Sequence, residues 1–262
     1  MSVASGARRR IESGIVTQRV AVFGATSAIA ADASRIYASS GARLFLIGRN
    51  ADKLKALANE LGDAVVGYQV QDFDRTDQAD ACVTRVIEGL GPIDIALIAH
   101  GLLGDQLESE QRVDVAEQIA RTNYLSVMAL CIPLANHLEA RRGGHLAVMS
   151  SVAADRGRPR NYTYAAAKSA LNIYLQGVRS RLYRAGVQVH TLKLGPTITP
   201  MTEGHAKNIL FSRSEDVARG VVRAIERGGS EAYVPGFWRL IMGIVRNTPE
   251  SVFQRISGLS GR

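Results

Sequence analysis

A serine, a tyrosine and a lysine in the middle of the chain have the types and the spacing for proton transfer. Tyr164 and Lys168 stand four residues apart, so on a helix they share one face. Ser151 precedes the tyrosine by thirteen residues. A phenol with an ordinary pKa of ~10 is a poor base at neutral pH. An ammonium one helical turn away favours the phenolate and is expected to lower that pKa. Tyr164 can then pass a proton to or from a substrate oxygen that Ser151 holds in place. Asn123 adds an amide that can hold a water linking Lys168 to solvent. A Tyr-x-x-x-Lys pair alone also reads as a solvated helix pair; the serine interval and three further segments set it in a site.

The first segment, Gly24-Ala25-Thr26-Ser27-Ala28-Ile29-Ala30, follows an apolar run and opens a helical pattern. A glycine at a strand end permits a tight turn. The free N–H groups and positive dipole end of the next helix suit a pyrophosphate, and Ser27 can add a hydroxyl. Alanine occupies two of the three expected glycine positions, so an ordinary strand–turn–helix is the competing reading. The second segment is Gly48-Arg49-Asn50. It has no carboxylate to accept from a ribose 2′-hydroxyl, whereas Arg49 can pair with a 2′-phosphate, so NADP(H) is expected over NAD(H). A solvated helix-start arginine is the alternative. In the third, Asp72 is expected to accept from an adenine amino group, with Phe73 covering the ring. Asp74 competes for that role and also reads as a helix-entry acid.

The elements that must carry these residues follow from periodicity. Short aliphatic runs at 19–23, 43–47, 65–70, 94–99, 145–149, 187–194 and 232–234 alternate with helical patterns at 27–40, 51–61, 78–89, 110–139, 162–185 and 214–227. The runs are mostly continuous rather than alternating, as in strands covered on both faces. Repeated strand–helix units imply a parallel sheet with right-handed crossovers. The expected architecture is α/β: a three-layer Rossmann fold with a mostly seven-stranded parallel sheet, helices on both faces and a C-terminal amphipathic helical tail. Ligands bind beyond the carboxyl ends of such strands, where every segment above falls.

Composition agrees with this. In 262 residues, 46% are apolar and 21% charged, which fits a globular domain and excludes a disordered chain. No apolar run approaches the ~18 residues of a membrane span. The net charge is +8, yet the arginines are spread out and no nucleic-acid motif is present, so no nucleic-acid partner is expected. Cys82 and Cys131 lie far apart without metal-ligand spacing, which implies a reduced, cytoplasmic compartment and no metal. The chain divides into a basic N-terminal tail (1–17) lacking the apolar core of a secretory signal, a domain (18–235) and a helical extension (236–262).

Over nearly its whole length, 18 to about 235, the sequence resembles the short-chain dehydrogenase/reductases. The glycine-rich turn matches Gly24 to Ala30, and the Asn–Ser–Tyr–Lys tetrad matches Asn123, Ser151, Tyr164 and Lys168. The resemblance implies an NAD(P)-dependent oxidoreductase that reduces a carbonyl or oxidises a secondary alcohol. It implies cofactor contacts from Gly24, Thr26, Ser27, Ala28, Ile29, Arg49, Asp72, Phe73, Ala99, Gly101, Tyr164 and Lys168. Gly195-Pro196-Thr197-Ile198-Thr199 resembles the family's Pro-Gly-x-x-x-Thr segment. That puts the Ile198 backbone on the nicotinamide carboxamide and Thr199 on the cofactor. A homodimer or homotetramer built on the long helices is also implied. Three departures stand out: Ala28 and Ala30 for glycines, Ile98-Ala99-His100-Gly101 for Asn-Asn-Ala-Gly, and Leu194 for a proline. His100 reads either as a second proton carrier or substrate contact, or as a structural replacement packed under the cofactor.

A narrower similarity is to the reductase components of decaprenylphosphoryl-ribose epimerases, at Ala99-His100-Gly101-Leu102-Leu103-Gly104-Asp105, Tyr233-Val234-Pro235 and Phe253-Gln254-Arg255. It implies a lipid-linked substrate, a 2-keto sugar on a polyprenyl phosphate, and a flavin oxidase partner; a small-molecule carbonyl is the alternative. Two features bear on it. Phe237, Trp238, Leu240, Ile241, Ile244 and Val245 are expected mostly on one helical face, flanked by Arg239 and Arg246. Val252, Phe253 and Ile256 follow. Such a stripe suits peripheral contact with the anionic inner face of a membrane, or a helix covering the substrate cleft or a subunit interface. Arg156, Arg158 and Arg160 crowd the loop before Tyr164, where they can engage a phosphate or form a solvated basic loop. Two rival functions use the same fold: a non-catalytic NADP-binding redox sensor, and an epimerase or dehydratase built on the same Tyr–Lys pair.

Overall fold

Seven strands pair side by side in one direction, and the central ones are buried on both faces. In the computed structural model, which describes residues 17–203 and 208–256, β1 (Arg19–Phe23), α1 (Ala28–Ser39), β2 (Arg43–Gly48), α2 (Ala51–Leu61) and β3 (Val65–Val70) come first. Next are α3 (Ala79–Leu90), β4 (Ile95–Ile98), α4 (Gln106–Ser109), α5 (Val113–Ala120), α6 (Ser126–Arg141) and β5 (His145–Ser151). After them come α7 (Tyr162–Leu182), β6 (Gln188–Leu194), β7 (Thr197–Ile198), β8 (Ser212–Arg213) and α8 (Ser214–Arg227), then β9 (Glu231–Val234), α9 (Trp238–Asn247) and α10 (Glu250–Phe253). The sheet order is β3-β2-β1-β4-β5-β6-β9, parallel throughout. Strands β7 and β8 form a separate parallel pair.

Neighbouring residues of one strand feed opposite cores. Phe23 and Ile98 pack on one face with Val86, Leu134 and Leu175 of α3, α6 and α7. Val22 and Leu97 pack on the other with Ala33 of α1 and Val221 of α8. This is the expected three-layer Rossmann fold. The strand order reverses between β1 and β4, so a crevice opens beyond their carboxyl ends, where Gly24 and His100 stand.

The chain differs from expectation at two places that touch the site. The helical stretch expected over 110–139 runs instead from Val113 to Arg141, and it passes through a π turn at Arg121–Leu125. Such a turn holds one residue more than an α turn, a register change that apolar periodicity does not reveal. Thr122 and Asn123 are buried within it. Second, the stripe expected on one face of α9 is split between two. Trp238, Met242 and Val245 face inward and join Val152 and Phe253 in a third, smaller core. Phe237, Leu240 and Ile244 are exposed. The two sets lie more than about a third of a turn apart on an α-helix, so burying one leaves the other outside. The basic tail lies outside the described residues from 1 to 16, as does the last part of the extension from 257 to 262.

Candidate active site

Strand β5 ends at Ser151, whose Oγ accepts from the Ala153 N–H at 3.0 Å and caps a 3-10 turn, Val152–Asp155. That turn is tied down at its far end. Asp155 accepts from Lys193 Nζ of β6 at 2.8 Å and from the Tyr233 hydroxyl of β9 at 2.6 Å, and Lys193 also pairs with Glu231 at 3.1 Å. The Lys193 and Asp155 side chains are 5% and 4% exposed, so this pair is desolvated and rigid rather than a surface contact.

Helix α7 begins at Tyr162, which places Tyr164 and Lys168 on its first two turns, facing the end of β5. The Tyr164 hydroxyl lies within reach of Ser151. Lys168 Nζ lies 6.0 Å from the centre of the Tyr164 ring and donates to the Met149 carbonyl at 3.1 Å. Burial pushes the phenol up to about 12, with the Ser151 hydrogen bond pulling the other way. The same burial pulls the buried Lys168 ammonium down to about 8. The expected lowering of the phenol by Lys168 is therefore corrected: desolvation outweighs the hydrogen bond that favours the charged form. Tyr164 is held as a neutral phenol at pH 7.

The glycine turn is built as its spacing suggests. Gly24 has φ +83°, and a Cβ on it would come within 2.6 Å of the His100 backbone nitrogen. Ser27 starts α1, yet its hydroxyl caps no N–H, is buried and has no partner among the described residues, and no acid stands in the first helical turn. Thr26, Ala28 and Ile29 are half-buried around it. Ala30, in place of a glycine, is fully buried in the core with Ala33. Arg49 is exposed at the end of β2 and has no ion-pair partner among the described residues.

The sequence profile described as short chain dehydrogenase matches residues 18–210. The chain belongs to the short-chain dehydrogenase family. An uncharacterized oxidoreductase of Mycobacterium tuberculosis (strain ATCC 25618 / H37Rv) is 33% identical over 240 residues, covering 90% of this chain and 96% of that protein. Another from Streptomyces coelicolor is 31% identical over 238 residues, covering 90% and 94%. Among solved structures, a short chain dehydrogenase from Burkholderia cenocepacia J2315 in complex with NADP matches with TM-score 0.79 at 20% identity, covering 91% of this chain and 97% of that one. Actinorhodin polyketide ketoreductase with NADPH matches with TM-score 0.74, also at 20% identity, covering 84% and 97%. At such identities these structures share the fold. This short-chain dehydrogenase is an oxidoreductase.

Several expected roles move once this short-chain dehydrogenase is read in three dimensions. Asn123 spends both amide N–H groups, on the Leu102 carbonyl at 2.6 Å and the Ile119 carbonyl at 2.8 Å, and its Oδ1 accepts from the Leu102 N–H at 3.1 Å. It fastens the backbone after β4, which leaves the second lone pair of Oδ1 as the side chain's remaining place for a water. Phe73 is 5% exposed, belongs to the core and stacks on His100 with ring centres 4.3 Å apart. It does not cover an adenine ring, because its face is already taken. Asp74 accepts from Thr122 at 2.9 Å and Gln118 at 2.7 Å, whereas Asp72 is exposed and, among the described residues, its carboxylate accepts only from the Asp74 N–H. The acid free to meet a ligand is thus Asp72.

His100 is structural. The Ser126 hydroxyl donates to the Thr122 carbonyl, so His100 Nε2 donates to that hydroxyl at 2.8 Å. Burial, and then the charges of Lys168 and Arg49, pull its pKa down to about 3, so the ring stays neutral near pH 7. Ala99 and Gly101 are half-buried beside it, and a Cβ on Gly101 would come within 3.0 Å of Asn123 Oδ1. Ile198 is exposed and Thr199 half-buried on the segment after β6. Arg156 is no phosphate ligand: it donates to the Val245 and Thr248 carbonyls, pairs with Glu250 at 2.6 Å and lies 3.9 Å over the Phe253 ring. This clasp and the Asp155–Lys193 lock join residues far apart in the chain, and no local sequence signal announces them. A groove of about 900 Å³ beside β9, lined by Arg179, Tyr233 and Arg239, lies apart from the tetrad.

Proposed function

We propose that this short-chain dehydrogenase is an NADP(H)-dependent carbonyl reductase, running in reverse as an alcohol dehydrogenase, with Tyr164 as its proton donor and acceptor. The observation that carries this reading is the meeting of Ser151, Tyr164 and Lys168 at the end of β5. The residues fit a nicotinamide dinucleotide. The orphaned Ser27 hydroxyl and the acid-free start of α1 suit a pyrophosphate, which Gly24, Thr26, Ala28 and Ile29 would also line. Arg49, lacking a carboxylate partner, suits the 2′-phosphate, and Asp72 suits the adenine. Ala99, Gly101, Ile198 and Thr199 would hold the nicotinamide half, with Lys168 at its ribose. The NADP and NADPH bound to the two solved structures above support the same choice.

The nicotinamide supplies the hydride when bound; the chain supplies orientation and the proton. Ser151 holds the carbonyl oxygen. Tyr164, a phenol at neutral pH whose burial disfavours the phenolate further, is in the form that donates to that oxygen as charge develops on it. Lys168, brought down to about 8, releases a proton more readily than a free lysine and so restores the phenol. In alcohol oxidation the proton moves the other way.

Replacement of Tyr164 by Phe tests this. NADPH oxidation should fall by ~10²–10⁴-fold while NADPH binding, followed by fluorescence, stays within about twofold of wild type. Retention of most activity would refute the role of Tyr164. The panel includes simple ketones and keto sugars, free and carried on a polyprenyl phosphate. Tight NADPH binding without turnover of any member favours the redox-sensor reading. Conversion without net NADPH consumption favours an epimerase.

A further inference from the structure

The three arginines before Tyr164 have different fates. Arg156 is used up in the clasp on α9 and α10, and Arg160 is exposed. Arg158 is half-buried, and its Nη2 reaches Met242 Sδ at 3.5 Å, a weak acceptor. Its Nε is buried without a hydrogen-bond partner, and no salt bridge reaches it among the described residues. A guanidinium does not escape such a position by losing its proton. Its charge stays, partly desolvated and without an acidic partner among the described residues, an arrangement that an anion would complete. Burial lowers its pKa, and no acidic group opposes that shift.

A second orphan donor lies on the same helix as Met242, the residue that Arg158 reaches. Trp238 lies one helical turn before Met242 on α9, in the same small core, and its buried indole N–H has no acceptor. The indole presses on the end of β6: a Cβ on Gly195 would come 2.1 Å from Trp238 Nε1. Gly195 follows Leu194, the register partner of Ser151. Val152, the residue after Ser151, packs in that core as well. Asn161, three residues before Tyr164, leaves its Oδ1 buried and unpaired. Buried polar atoms in folded proteins are almost always paired. Here orphans from two places, the loop before α7 and helix α9, lie on segments that adjoin Tyr164 and Ser151.

We infer that Arg158, with the indole N–H of Trp238, forms an anion subsite in the substrate cleft, which takes a carboxylate or phosphate carried by the carbonyl substrate. The inference rests on the reductase reading above and narrows its substrate class to acidic carbonyl compounds. Arg158 offers a two-pronged grip on a planar or tetrahedral oxyanion, and Trp238 adds one directional donor. Asn161 can accept from a hydroxyl of the same substrate.

The test has a binding arm and a kinetic arm, using full-length protein in saturating NADP⁺ so that the cofactor's own phosphate subsite is filled. Calorimetry with inorganic phosphate and with acetate should show binding to wild type and its loss in Arg158→Met, which keeps the apolar stem against Met242. Arg158→Lys, which keeps the charge without the fork, should fall between the two and serves if the Met variant does not fold. Steady-state NADPH oxidation then compares fructose with fructose 6-phosphate, and methyl levulinate with levulinate. Wild type should prefer the charged member of at least one pair, and which pair identifies phosphate or carboxylate. Arg158→Met should raise KM for that member by ~10–100-fold, with kcat and the neutral member unchanged. Trp238→Phe should raise it less. Equal anion binding by wild type and Arg158→Met, or no preference in either pair, overturns the subsite. Absence of turnover with every carbonyl overturns the reductase reading instead, while the calorimetric result still stands for the subsite alone.

Discussion

Arg49 and Tyr164 illustrate how far a single residue's environment departs from its type. Arg49 ends β2 in the open, with no carboxylate held against it, so its charge is available to an incoming anion. Replacing it by Gln should raise KM for NADPH by ~10-fold or more and leave KM for NADH nearly unchanged, because only the first carries the 2′-phosphate. Equal effects on the two cofactors would assign Arg49 a general surface role. The i,i+4 pairing of Tyr164 and Lys168 was legible in the chain, since helical spacing is local. Their acidities were not. The phenol rises and the ammonium falls because both are buried by β5 and the loop after it, which spacing alone does not disclose.

At the scale of elements, the turn between β1 and α1 allows no side chain. Gly24 combines a left-handed φ with close contact to the backbone of His100, from the loop after β4. Gly24→Ala must either distort the turn or push that loop away, at a cost of at least ~1–3 kcal/mol. Thermal unfolding should show a Tm lower by several degrees, with NADPH affinity falling because the same backbone leads into the Ser27 hydroxyl. An unchanged Tm would mean that the loop yields freely. The glycine was readable from its place after an apolar run; the identity of the group it avoids required the sheet order. The π turn at Asn123 and the two faces of α9 were hidden for a related reason. A pattern of apolar residues reports that a helix has a buried side, but not which neighbour buries it or where an extra residue enters the turn.

For the molecule as a whole, buried histidines set the response to acid. Burial and then nearby cations pull His100 down to about 3; burial and then His145 pull His190 down to about 4. His145 and His137 are lowered mainly by burial as well. All are neutral in the folded chain, whereas the unfolded chain takes up protons near ~6.5. Their contribution is therefore complete above that pH and is lost as the pH falls toward the folded values. Calorimetric Tm should hold steady from pH 8 to 7 and drop between pH 6 and 4. His100→Phe, which keeps a ring against Phe73, should flatten that drop whatever its effect on absolute stability. A Tm independent of pH across this range would contradict the neutral, buried state of these rings.

What this chain's sequence determined by itself was the parallel sheet, the turn after its first strand and the Ser–Tyr–Lys set. Each depends on short-range regularity: continuous apolar runs, a glycine at a strand end, a four-residue interval. Tertiary structure alone decided that Phe73 stacks on His100, that Asn123 fastens a loop, and that Arg156 clasps the C-terminal helices while Arg158 turns to Met242 with its Nε buried. Those outcomes join residues as far apart as Arg156 and Glu250. Burial and pairing across such distances are properties of the packed chain, because the solvent each group loses is displaced by elements remote from it in sequence.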